Sequence, residues 1–239
     1  MDEQTVYGMK AALALLERRP EDVLRLHFRA DRLAGLKKTL AGLAARRLPY
    51  RELDEESLRK VAGGPHHEGL VVVARPLCYR PPPERLPSAG LWLALDGVDN
   101  PHNLGAILRT CAFFGVQGAL AGGEQPGQKV NAAVLRVAEG GAEYVPLHAA
   151  PDLAGTLRGL RAGGLPVLGL ETDAPAPLEA APRAATLVLA VGNESAGLSQ
   201  AVRAACTGLH ALRGAGPLRS LNVSVATAVA LSRLMEPGR

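Results

Sequence analysis

Between residues 90 and 192 the chain carries five largely apolar runs: LWLALD (91–96), VQGALAG (116–122), EYVPL (143–147), LPVLGLE (165–171) and TLVLAVG (186–192). Stretches with helical patterns lie between them. A strand with one wet face alternates apolar and polar residues, so runs without that alternation belong to strands covered on both faces. Such strands, interleaved with helices, build a parallel sheet flanked by helices. In sheets of this class ligands gather outside the carboxyl ends of the strands. The first place to look is therefore residues 96–103, just beyond LWLALD.

The pattern before residue 90 is different. RPLCYRPPPERLPSAG (75–90) holds three consecutive prolines and two more nearby. Such a segment favours a stiff extended linker. Upstream, the sequence reads as a helix at 6–18, a strand in VLRLHF (23–28), a helix at 32–46, a short strand within 48–53, a helix at 55–62 and the strand GLVVVAR (69–75). This divides the chain into a small α/β unit (1–75), a proline-rich linker (76–89) and a larger α/β unit (90–239). The larger unit ends in a short helix at 198–205 and a helix at 221–235.

Charge is divided unevenly as well. Residues 1–89 hold 16 Lys and Arg against 12 Asp and Glu, whereas residues 90–239 hold 11 against 11. The excess is carried mainly by Arg18, Arg19, Arg25, Arg29, Arg32, Arg46 and Arg47, which is compatible with a phosphate-binding face. No apolar run approaches the ~18 residues of a membrane span, and the amino-terminal MDEQTVYGMK lacks the basic-then-apolar layout of a secretory signal. A cytoplasmic protein without membrane contact is expected. Cys78, Cys111 and Cys206 form no CxxC and read as buried thiols. His66, His67 and Glu68 lack a third convincing ligand, so no metal is expected. Neither GxGxxG nor GKS/GKT occurs, which argues against an ordinary dinucleotide or triphosphate site.

Three segments carry chemistry. In VDNPHNLGAILRTCAFFGV (98–116), Asn100 and Pro101 suit a turn and helix start. Arg109, however, sits in a helix that is apolar or small nearly all round, so it must reach a cleft, an interface or an anion. In LVLAVGNESAGLS (187–199) an apolar strand runs straight into Gly192, Asn193, Glu194 and Gly197. Ser195 with Gly197 resembles part of a hydrolase nucleophile elbow, but Asn193 stands where that elbow needs Gly, and no acid lies between Ser195 and His210. In LRGAGPLRSLNVSVATAVALSRL (212–234) a glycine-rich loop feeds an apolar helix. Ser220 suits its N-cap, and the Asn222 amide needs hydrogen-bond partners.

NPHNLGAILRTCAFFGV, LAVGNESAGLS and SLNVSVATAVAL, in this order, resemble the three motifs of the SpoU (TrmH) family of RNA 2'-O-ribose methyltransferases. VAEGGAEYVPL (137–147) belongs to the same resemblance. YGMKAALALLERRPE and HEGLVVVARP look like the amino-terminal RNA-binding domain of the subgroup that modifies 23S ribosomal RNA. The resemblance implies a knotted (trefoil, SPOUT-type) parallel-sheet domain at 90–239 behind a small L30e-like α/β domain. It also implies S-adenosylmethionine as cofactor and a homodimer formed through the catalytic domain. The implied catalytic residues are Asn103, Arg109, Glu194, Ser220 and Asn222, with Gly192, Leu212 and Leu221 at the cofactor. The implied partner is RNA, a guanosine of 23S rRNA first and tRNA second, with a catalytically inactive RNA-binding member as the alternative. Two departures stand out: LRGAGPLRS before Ser220 lacks the family's proline and methionine, and Asp99-Asn100 replaces the commoner Thr-Asp or Thr-Asn.

The family's arginine is proposed there to be the base. A guanidinium keeps its proton to a pKa above about 12. Arg109 is therefore expected to hold substrate phosphate and stabilise charge on the 2'-oxygen. Asn103, Ser220 and Asn222 would orient the ribose and Arg109, and Glu194 would hold the loop or an arginine.

Overall fold

A computed structural model describes residues 2–87, 89–182 and 184–235. Its first sheet comprises Gln4–Tyr7 (β1), Val23–Phe28 (β2), Tyr50–Glu52 (β3) and Leu70–Ala74 (β4), in the order β1-β4-β2-β3. β4 is antiparallel to both neighbours, while β2 and β3 are parallel. Helices Met9–Arg18 (α1), Leu33–Ala45 (α2) and Glu55–Ala62 (α3) accompany it. The helix expected from residue 6 begins at Met9, because residues 4–7 pair with β4 and Gly8, at φ 93°, turns the chain between the two elements.

The second sheet comprises Gly90–Asp96 (β5), Gly118–Gly122 (β6), Leu147–Ala150 (β7), Val167–Leu170 (β8), Ala176–Pro177 (β9), Thr186–Gly192 (β10) and Gly208–Ala211 (β11). Its order is β7-β6-β5-β10-β8-β11-β9, and every pairing is parallel. The covered sheet read from the apolar runs is present. Leu91, Leu93, Leu95, Leu189 and Val191 enter one hydrophobic cluster, and Trp92, Ala94, Val188 and Ala190 enter another on the opposite face. Helices Pro101–Phe114 (α4), Ala132–Ala138 (α5), Gly141–Tyr144 (α6), Leu153–Ala162 (α7), Gln200–Ala205 (α8) and Val223–Leu234 (α9) connect or close it.

Two local readings are corrected. The strand expected at EYVPL lies later: Glu143 and Tyr144 finish α6, and β7 starts at Leu147. Pro146 separates the two, having no N–H to give a ladder. β11, of only four residues, was not foreseen, because GLHA is too short to show a period.

The linker is extended but only partly free. Leu77 O accepts from Val130 N (2.8 Å), Tyr79 N donates to Gln128 O (2.9 Å), and Arg80 N donates to Leu147 O (2.8 Å). Backbone pairing ends at Arg80, though Pro81 O still meets His148 Nδ1 (2.6 Å) and Pro87 O accepts from Thr186 Oγ1 (3.1 Å). The two sheets also share a continuous core in which α1 packs against α6 and β1 against α5. At its centre Arg19, at the end of α1, holds Glu143 of α6. Nε lies 2.7 Å from Oε2 and Nη2 lies 3.1 Å from Oε1, with the two side chains only 9% and 4% exposed. Burial lowers the Arg19 pKa, but Glu143 and Asp22 more than offset it and leave it raised. Arg19 is thus a structural residue rather than part of a phosphate-binding face. Arg25 and Arg29 are likewise paired, with Glu3 and with Asp31 and Glu55. Lys37, Lys38, Arg47 and Arg51 make no ion pair among the described residues.

Candidate functional site

Because all strands of the second sheet run the same way, the loops after β5, β10, β8 and β11 emerge side by side. Asp96 and Gly192 are register partners at the ends of β5 and β10. This puts the first and second motifs in direct contact. Asn193 Nδ2 donates to Gly97 O (2.9 Å), while its Oδ1 accepts from Ser195 N (2.9 Å) and Ala196 N (3.2 Å). A Cβ on Gly192 would meet Gly197 C at 2.2 Å, so only glycine lets the loop fold back this closely.

Two further carboxylates fix that loop. Asp96 Oδ2 accepts from Ser199 N (2.6 Å), and Glu171 Oε1 accepts from Leu198 N (3.0 Å). Sequence reasoning missed both as supports. An acid closing an apolar run, as in LWLALD and LPVLGLE, is the signal that could have found them. Arg213 and Arg219 tie the third loop to residues 173–175, through Ala174 O (2.6 Å) and Asp173 Oδ1 (2.7 Å).

Asn100 caps α4, accepting from His102 N (2.9 Å), with Pro101 in the first turn. The cap of α9 falls on Asn222 rather than Ser220, with Asn222 Oδ1 accepting from Ser224 N (2.9 Å). The other end of that amide finds its partner in the first motif, since Asn222 Nδ2 donates to Asn103 Oδ1 (3.1 Å). Asn103 and Asn222 are therefore brought together. Ser220 and Leu221 are exposed next to Asn222, Leu212 is half-buried, and Glu194 is exposed and makes no hydrogen bond or ion pair among the described residues.

Arg109 lies six residues beyond Asn103, which turns it about 240° around α4. It faces α5 and α6 instead, where Nη1 lies 2.9 Å from Glu139 Oε1. The arginine of an apolar helix has reached both an anion and a cleft of about 550 Å³ lined also by Phe113, Glu139, Gly140 and Tyr144. Burial raises the Cys111 thiol to about 12 and the Cys206 thiol to about 11, so neither is a nucleophile.

The third loop bears on cofactor fit. Backbone groups of residues 214–221 make no hydrogen bond to other backbone groups among the described residues, and Leu218 and Leu221 are 84% and 53% exposed. Unpaired amides and carbonyls with apolar side chains beside them suit a ligand that has a flat heterocycle and polar edges. S-adenosylmethionine is such a ligand.

Residues 90–232 match the SpoU rRNA Methylase family, and residues 5–80 match RNA 2'-O ribose methyltransferase substrate binding. The chain is 37% identical to the 23S rRNA (guanosine-2'-O-)-methyltransferase RlmB of Pseudomonas aeruginosa, over 97% of this chain and 96% of that protein. It is 34% identical to the uncharacterized tRNA/rRNA methyltransferase YfiF of Escherichia coli O157:H7, over 96% of this chain and 67% of that protein. The AdoMet-bound rRNA methyltransferase of Sinorhizobium meliloti superposes with a TM-score of 0.80 at 22% identity, over 97% of this chain and 86% of the other, a likeness of fold.

Proposed function

The chain belongs to the SpoU rRNA methylase family and is an S-adenosylmethionine-dependent RNA 2'-O-ribose methyltransferase; on that premise we propose that it methylates a guanosine ribose of 23S rRNA. What carries the choice of substrate is the 37% identity to RlmB along nearly the full length of both chains, which includes the substrate-binding segment. A tRNA substrate is the second reading, favoured by the tRNA/rRNA methyltransferase relatives. Work on ribosomal RNA would be done in the cytoplasm.

In this reading residues 5–80 hold the RNA and residues 90–232 transfer the methyl group. Loops 193–199 and 212–222, drawn together as a trefoil knot, hold the cofactor through backbone groups of Gly192, Leu212 and Leu221. The cofactor supplies a methyl group on a sulfonium, an electrophile that needs no metal. Everything else falls to the chain. The 2'-oxygen would take the methyl as the cofactor departs as its neutral thioether, and the 2'-hydroxyl proton would pass to water. The Asn103–Asn222 pair, with Ser220 beside it, orients the ribose. Arg109, on a different face of α4, holds a backbone phosphate of the same RNA strand. Glu194, free of partners in the described residues, is available to a substrate or cofactor amine.

Exposed Phe113 on α4 and Leu221 and Val225 at the start of α9 are apolar surface that a second copy would cover, so the working form is a homodimer through the catalytic half. Transfer of labelled methyl onto separated unmodified rRNA and tRNA tests the reading. Label in 23S rRNA supports it, and label confined to tRNA moves the substrate to the second reading.

A further inference from the structure

Glu139 ends α5 in the left-handed backbone region, at φ 45°, and its carboxylate joins two cations from opposite halves of the chain. Oε1 lies 2.9 Å from Nη1 of Arg109 on α4, and Oε2 lies 2.8 Å from Nζ of Lys10 on α1. The next two residues hold this arrangement by close backbone approach. A Cβ on Gly140 would meet Ala14 Cβ at 2.7 Å and Lys10 O at 3.1 Å, while one on Gly141 would meet Leu108 O at 2.7 Å and Arg109 Cα at 2.8 Å. The stems of Lys10 and Arg109 therefore start from a fixed frame.

Their charged ends, by contrast, are uncommitted. The side chains of Lys10, Arg109 and Glu139 are 68%, 54% and 38% exposed, and the latter two line a cleft with Phe113 and Tyr144. Ion pairs this exposed contribute little to stability, so little opposes their exchange for another anion. A carboxylate that bridges a guanidinium and an ammonium has the charge and the paired oxygens of a phosphodiester.

We propose that Lys10 and Arg109 together form a site for one phosphodiester of the RNA strand, and that Glu139 fills this site in the free protein until the RNA phosphate displaces it. The site spans both halves of the chain. Arg109 is released from its internal partner only where RNA also engages the substrate-binding half. The inference rests on reading the chain's substrate as RNA and Arg109 as a phosphate-holding residue, and it adds Lys10 and Glu139 to the recognition surface.

The test is binding of an unmodified 23S rRNA transcript over a series of salt concentrations, for the full-length wild type, Glu139→Gln, Lys10→Met and the double variant. Melting temperature and calorimetry with S-adenosylmethionine accompany each. Glu139→Gln should bind RNA several-fold more tightly at an unchanged salt slope, because the same phosphate contact forms without a carboxylate to displace. Lys10→Met should weaken binding several-fold and shrink the gain from Glu139→Gln, with cofactor affinity unchanged in all variants. Should Glu139→Gln melt early, Lys10→Met carries the test, since Nζ of Lys10 touches only Glu139 among the described residues. If the wild type binds and methylates the transcript while both single variants match it in affinity and slope, the site is refuted and the substrate reading stands. If the wild type does neither, the substrate reading falls and this site falls with it.

Discussion

Replacing Arg19 with Met should destabilise the whole chain, not only its amino-terminal part. Arg19 Nε and Nη2 grip both oxygens of Glu143, and Nη1 donates to Arg75 O at 2.7 Å. Methionine fills much of the volume but leaves the Glu143 carboxylate, 4% exposed, without a counter-charge. Breaking one side of such a buried pair costs about 3–5 kcal/mol. For a chain of this size each kcal/mol moves the melting temperature by about 2–4 °C, so a fall of roughly 6–20 °C is expected. Differential scanning calorimetry of the wild type, Arg19→Met, Glu143→Leu and the double variant reads this directly. The double variant should recover most of the loss, because two apolar side chains of similar volume replace the pair without stranding a charge. The transition should stay single, since the pair lies within a core common to both sheets. Melting of Arg19→Met within about 2 °C of wild type, or a double variant that falls by the sum of the singles, would show that Arg19 and Glu143 are not coupled across the junction.

Arg109→Ala should abolish methyl transfer while leaving the fold and calorimetric S-adenosylmethionine affinity near wild type, and Arg109→Lys should fail too, for want of the planar fork. Gly192→Ala should weaken cofactor binding at least tenfold, because the added Cβ would sit 2.2 Å from Gly197 C and push the second loop outward; unchanged calorimetric affinity would remove that loop from the site. A thiol reagent at pH 8 should label at most Cys78 in the native chain, since burial lifts Cys111 to about 12 and Cys206 to about 11. His27 is held below its ordinary value of 6.5 by burial first and then by Arg25 and Arg51. Its contribution to stability is therefore full above that value and lost as pH falls through the lowered one, and His27→Gln should flatten the acid limb of a melting-temperature profile.

Much of the catalytic half was legible because its strands are covered on both faces and so announce themselves as apolar runs. The Asn100 cap could be read because the local start of a helix favours that residue type. The link between Asn103 and Asn222 could only be anticipated as a need for partners, since the two lie far apart in sequence and meet through the strand order. Arg109 was recognised as out of place in an apolar helix, yet its partner Glu139 was not, because nothing local marks a carboxylate as facing another helix. The basic excess before residue 90 was real but overstated as a surface for RNA, since Arg19 is buried in the junction and Arg25 and Arg29 already have acidic partners. The proline run concealed how closely the two halves join, because the contacts that fuse them lie in α1, β1 and α6 and not in the linker.

Methyl transfer to RNA can be followed through the methyl group itself. Full-length protein is incubated with methyl-labelled S-adenosylmethionine and an unmodified 23S rRNA transcript, and the RNA is digested to nucleosides for mass spectrometry. Label is expected in 2'-O-methylguanosine, at one site, and lost in Arg109→Ala. Label on a base, or no label on RNA from a protein that binds the cofactor, would contradict it.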